Sequence, residues 1–172
     1  MKYFSGFCFK DESKLFTKFL PKTNYCVAGF RKGAIKALEY TYNNPNQRID
    51  RLILLSPAYF NDKNQKFIRT QLMYFKKDSK LYIDNFVANT IFPSQIDISS
   101  YLSNGKFEEL EFLLNYKFEE EKLNAILENG TYVEVFLGDK DKIIDFSDAK
   151  KFFKELDDCT LFCIKDVGHI LK

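Results

Sequence analysis

The sequence predicts an α/β fold, a small, mainly parallel sheet flanked by helices, and three observations carry that prediction. Five short apolar runs of strand length are spread along the 172 residues. Helical periodicity separates several of them, which implies parallel pairing through right-handed crossovers with helices on both faces. One long stretch, 61–128, shows helical spacing and scarcely any strand signal. The length suits one domain, 1–172, with 61–128 as a helical insertion.

The expected strands are Lys2 to Ser5, Tyr25 to Ala28, Leu52 to Leu55, Tyr132 to Leu137 and Leu161 to Ile164. Between the second and third, Ala34, Ile35, Ala37, Leu38 and Tyr42 fall on or near one helical face, and Asn43-Asn44-Pro45 stops the helix. A later helix is expected from Asp145 to Leu156. Within the insertion, Phe67, Leu72, Phe75, Tyr82, Phe86, Leu110, Phe112 and Leu113 recur at helical intervals. Following the third strand, such helices would stand over the carboxyl ends of the strands as a lid, or simply cover one face of the sheet.

Composition narrows the class. Nineteen Phe and ten Tyr, without Trp, make aromatic rings a large part of the core. The 26 basic and 24 acidic side chains nearly cancel, against a dedicated nucleic-acid binder. The N-terminus has no signal-peptide pattern and no apolar run nears about 20 residues, so a soluble cytoplasmic protein with no membrane partner is expected. Cys8, Cys26, Cys159 and Cys163 make no C-x-x-C pair and the one histidine is far from the first two, so buried reduced thiols are expected rather than a metal site. Nothing calls for a cofactor.

Chemistry concentrates in three places. Tyr25 to Ala37 reads as a strand, a Gly29-x-x-x-Gly33 turn and a helix opening with small residues. Phe136-Leu137-Gly138-Asp139-Lys140-Asp141 follows the fourth strand as an acidic loop. Asp166-Val167-Gly168-His169 follows the fifth and carries the only histidine.

Together these resemble the α/β-hydrolases. Their nucleophile elbow is Gly-x-Ser-x-Gly, a strained strand-to-helix turn between glycines, and the triad follows in the chain order nucleophile, acid, base. The resemblance implies that Asp141 is the acid and His169 the base, with oxyanion donors from the backbone N–H groups of Phe7 and Lys32. At the nucleophile position stands Arg31. A guanidinium stays protonated at neutral pH and has no lone pair with which to attack a carbonyl.

With the opening Phe4-Ser5-Gly6-Phe7, Leu54-Leu55-Ser56-Pro57, and Glu108-Glu109-Leu110-Glu111-Phe112-Leu113-Leu114, the chain is similar to one group. These are the short pimeloyl-acyl-carrier-protein methyl ester esterases, BioV type, of epsilonproteobacterial biotin synthesis. The resemblance implies a carboxylester hydrolase, and Arg31 implies an inactive or impaired one. Two alternatives stay open: an active hydrolase using activated water or Ser5, Ser56 or Cys8, or a non-catalytic module that binds an acyl group or carrier protein. Arg31 either offers its fork to a carboxylate or phosphate, or carries its charge out to solvent. Lys63, Lys66, Arg69, Lys76, Lys77 and Lys80 form a basic cluster that suits an acidic acyl-carrier protein, or is a solvated helix face.

Overall fold

The computed structural model describes residues 1–172. Five strands, β1 (Lys2–Phe4), β2 (Cys26–Phe30), β3 (Arg51–Leu55), β4 (Tyr132–Gly138) and β5 (Thr160–Ile164), form one parallel sheet in sequence order. Each expected strand is present with its ends moved by a residue or two. β2 runs on through Gly29 and Phe30 because β3 pairs both of them, Gly29 with Leu54 and Phe30 with Leu55.

The helices are α1 (Lys32–Tyr42), α2 (Gln65–Lys77), α3 (Ser79–Ile91), α4 (Phe107–Asn115), α5 (Glu120–Glu128) and α6 (Phe146–Lys154). Side-chain caps start three of them. Asn64 accepts from the Phe67 N–H, Asp78 from the Leu81 N–H, and Asp145 from the N–H groups of Ser147 and Asp148.

Register assigns the two faces of the sheet. Phe30, Leu55, Phe136 and Phe162 lie abreast on one face; Gly29, Leu54, Val135 and Leu161 lie on the other. The long crossover helices take the second face. A Cβ on Gly29 would come 2.1 Å from the Gly33 carbonyl oxygen, and one on Gly33 would come 1.9 Å from that of Phe4, so α1 rests directly on β1 and β2. Under α5 and α6, Val133, Val135 and Leu137 are fully buried.

The first face is covered by the segment between β1 and β2, including a short 3-10 turn at Glu12–Phe16. Phe16 packs on Phe30 at 4.8 Å between ring centres and Phe19 on Phe136 at 4.8 Å. Toward β5 the cover ends, leaving Tyr132 69% and Phe162 39% exposed. The expectation of helices on both faces is corrected here, since every α-helix that packs on the sheet lies on one side. With unidirectional strand order, crossovers of one hand fall on one face. The β1-to-β2 connection lies on the other face and so has the opposite hand.

Residues 61–128 contribute no strand. α5 packs on α1 and β4 as the crossover helix before β4, while α2 packs on α3 and α4 and shares a cavity with Arg31, the residue that follows the carboxyl end of β2. An isolated bridge between Phe9 and Leu102 and the Lys10 N–H bond to the Tyr101 carbonyl (2.8 Å) tie this cap to the loop after β1. No helix is long and apolar enough to cross a membrane.

Candidate functional site

The site begins with the turn between β2 and α1. Arg31 has φ 53° and ψ −112°, a backbone state that L-residues seldom occupy and that costs on the order of 1–3 kcal/mol. Three hydrogen bonds hold it there: the Arg31 N–H donates to the Leu55 carbonyl (3.0 Å), and its own carbonyl accepts from Ala34 (3.1 Å) and Ala58 (3.4 Å). The two flanking glycines admit the close strand-to-helix approach.

The side chain turns inward. Arg31 is only 3% exposed, and its guanidinium carbon lies 4.0 Å from the centre of the Phe86 ring and 5.3 Å from that of Phe7. Nε and Nη1 are buried with no hydrogen-bond partner. Burial lowers its pKa to about 10, against the opposing pull of Tyr82, Cys8 and Asp141, so the group is still a cation at neutral pH. The reading in which Arg31 carries its charge out to solvent is therefore corrected: Gly29 and Gly33 seat the elbow so tightly that the stem projects beneath the cap.

At the same edge of the sheet, Asp141 Oδ2 lies 2.6 Å from His169 Nδ1, and both side chains are buried. The other Asp141 oxygen accepts the N–H groups of Ile143 (2.7 Å) and Ile144 (3.1 Å). Held on its other oxygen by two backbone N–H groups, the Asp141 carboxyl orients the imidazole through Nδ1 and leaves Nε2 on the far side of the ring. Nε2 has no partner.

Several groups fix the histidine. Its ring packs on Phe30, 5.2 Å between centres, and its carbonyl accepts a hydrogen bond from the Ser56 hydroxyl at 2.7 Å. Asp139 accepts the Asp166 N–H at 2.7 Å, pinning the loop that leads to it. A Cβ on Gly168 would lie 1.7 Å from the Phe92 carbonyl oxygen, so only glycine lets this loop pass under the cap.

The donors expected from the main chain have separate settings. Phe7 is fully buried and no acceptor in the chain takes its N–H. Lys32 opens α1, where the first N–H groups of a helix lack intrahelical acceptors, and its ammonium pairs with Glu109 of α4.

The alternative nucleophiles are poorly placed. The Ser56 hydroxyl is fully buried and committed to the His169 carbonyl. Burial raises the Cys8 thiol to about 12, which leaves almost no thiolate at neutral pH. Neither Ser5 nor Cys8 bonds to His169, whose ring is joined only to Asp141. Cys163, expected to be buried, is exposed because β5 is an edge strand, and Cys159 is half-buried. No group of three or more His, Cys, Asp and Glu side chains is placed to hold a metal ion.

In front of Arg31 opens a cavity of about 670 Å³, within the range of small-ligand sites. Phe60, Phe67, Phe86, Leu114 and Ile143 give it an apolar wall, and Lys77, Asp78, Lys142 and Asn85 stand among its polar lining. His169 lies outside this lining. The sequence alone points to neither the Phe7–Phe86 clamp, nor Glu109, nor the Ser56 latch. Phe86 stands out there only for its helical spacing, and nothing local marks a ring that will meet a cation from 55 residues away.

The five-stranded parallel sheet with its flanking helices is an α/β-hydrolase-like fold. Among solved structures the chain is similar to a bromoperoxidase from Bacillus anthracis, at 15% identity and TM-score 0.70, covering 93% of this chain and 65% of that one. It is also similar to an esterase from Exiguobacterium antarcticum, at 16% identity and TM-score 0.56 over 91% of this chain and 63% of the other. E-2-(acetamidomethylene)succinate hydrolase is 10% identical, with TM-score 0.60 over 98% and 84%. At these identities the likeness is one of fold, and the chain spans a little under two thirds of the first two proteins. No protein-family profile matches it, and no curated protein matches it in sequence.

Proposed function

We propose that this chain is a non-hydrolysing homologue of the pimeloyl-acyl-carrier-protein methyl ester esterases, one that holds an acyl group in the cavity under α2 and α3 without cleaving it. The observation that carries the reading is the occupant of the elbow. Arg31 has the strained backbone of a nucleophile but no atom able to attack an acyl carbon, and neither Ser56 nor Cys8 is free to replace it.

A carrier protein as partner draws support from α2. Lys66, Arg69 and Lys77 recur at helical spacing along one exposed side of it, and Lys77 also stands at the cavity. Lys63 pairs with Asp148 and Lys80 with Asp84, which leaves less free charge than the six residues suggest. An acidic carrier protein docked there would bring its acyl chain to the cavity.

The test compares the protein with its Arg31→Ser variant on p-nitrophenyl esters and on methyl pimeloyl-acyl-carrier protein. The parent should show neither a burst nor fluorophosphonate labelling, and the variant should gain both. Turnover by the parent that vanishes in His169→Ala would overturn the reading. One observation favours that second outcome: Nε2 of His169 has no hydrogen-bond partner while Nδ1 is held by Asp141, the arrangement in which an imidazole can draw a proton from water.

A further inference from the structure

A buried cation without an anion is the largest unsettled electrostatic feature of the molecule. Arg31 takes part in none of the chain's salt bridges. Phe7 and Phe86 attract its charge through their ring faces, yet aromatic faces leave N–H donors without acceptors. The same side chain borders the cavity of about 670 Å³. Folding therefore leaves an unpartnered, buried guanidinium against a pocket whose lining joins an apolar wall to polar side chains.

Resting on the acyl-binding reading above, we propose that this cavity is a receptor for a free carboxylate on an apolar tail, with the Arg31 guanidinium holding the carboxylate and the aromatic wall holding the tail. The wall sets the tail: Phe60, Phe67, Phe86, Leu114 and Ile143 offer contact and no charge. The head is set by Arg31, the one buried cation of the lining, since Lys77 and Lys142 also border the cavity but are exposed. One buried guanidinium neutralises a monoanion, whereas a phosphate dianion at the same depth would bury a second charge that the exposed lysines match only through solvent. Asp78 does not compete for Arg31, because its side chain caps α3.

A neutral ester presents the wrong chemistry to this pocket. Its carbonyl oxygen can accept a hydrogen bond from the guanidinium, but it brings no negative charge to neutralise the cation and cannot fill the fork as a carboxylate does. The preferred ligand thus resembles the acid product of an ester cleavage more than its substrate, which suits a protein that binds without turning over.

The test is calorimetric titration of the intact chain with hexanoate, methyl hexanoate and inorganic phosphate, repeated on Arg31→Met. Hexanoate should bind roughly 10–100-fold more tightly than methyl hexanoate, the ratio that hydrogen bonds to a charged group produce. Arg31→Met, with similar length and no charge, should lose that ratio while keeping its affinity for methyl hexanoate. Equal binding of acid and ester by the parent protein would overturn the carboxylate receptor and leave acyl binding standing. Binding of neither would overturn both. Phosphate displacing hexanoate at equal concentration would overturn the choice of anion. Should Arg31→Met fail to fold, the acid-to-ester ratio in the parent decides the matter without it.

Discussion

The guanidinium carbon of Arg31 lies 4.0 Å from the centre of the Phe86 ring, so the elbow after β2 and the middle of α3 are joined through a cation and an aromatic face. No carboxylate shares this contact, and the consequences can be measured.

Removing the charge should stabilise the fold. Arg31→Met keeps the stem and eliminates a buried, unpaired cation, with an expected gain of about 1–3 kcal/mol in urea unfolding at neutral pH. A loss of stability would mean that the two rings compensate the guanidinium fully.

Phe86→Ala removes the ring and leaves a hole beneath the cap. The expected loss is about 3–5 kcal/mol. Phe86→Leu fills most of that volume but has no π face, so it isolates the cation–π share, about 1–2 kcal/mol at a desolvated site. The two unfolding midpoints, measured side by side, check both figures.

Ser56→Ala leaves the buried His169 carbonyl without its donor, at a cost of about 1–3 kcal/mol. Its clearer effect should appear in an Arg31→Ser background, where a loosened imidazole would lower the gained esterase rate about tenfold while KM changes little. Steady-state kinetics of the single and double variants separates the two effects.

Alkaline pH should weaken the protein. Burial raises the Cys8 thiol to about 12 and the Cys26 thiol to about 11, both above the ordinary value of 9.0. A group whose folded pKa is raised contributes stability that is present below its unfolded pKa and is lost as pH rises through the folded one. The urea midpoint should therefore hold below pH 9 and decline between pH 9 and 12. At pH 8, iodoacetamide should alkylate exposed Cys163 first and leave Cys8 and Cys26 unmodified in the folded chain.

Much of the scaffold was legible because its signals are local. Apolar runs marked all five strands, and the Gly29 to Gly33 spacing marked the turn because backbone approach there depends on adjacent residues. The Asp141–His169 contact was readable for a related reason: each residue sits in the loop after a strand, and parallel strands deliver such loops to one edge of the sheet. Phe86, Glu109 and Ser56 gave no such signal, since their roles depend on which distant element folds over them. Cys163 misled because an apolar run reads alike in a central and an edge strand. The one-sided helices were hidden too, because strand order is a property of pairing and leaves no periodic trace.

The seam between β3 and β4 joins Arg51 to Tyr132 across the whole of 61–128, whereas β1 meets β2 and β4 meets β5 over much shorter stretches of chain. Ring closure over so long a span is slow relative to the pairing on either side of it. Assembly should thus proceed as two pieces, an N-terminal trio and a C-terminal pair, that meet late. Arg31 and Ile143, which both line the cavity, come from different pieces, so the pocket comes into being only at the final joining step, and substitutions in α2 to α4 would change its time of arrival even where they leave its shape intact.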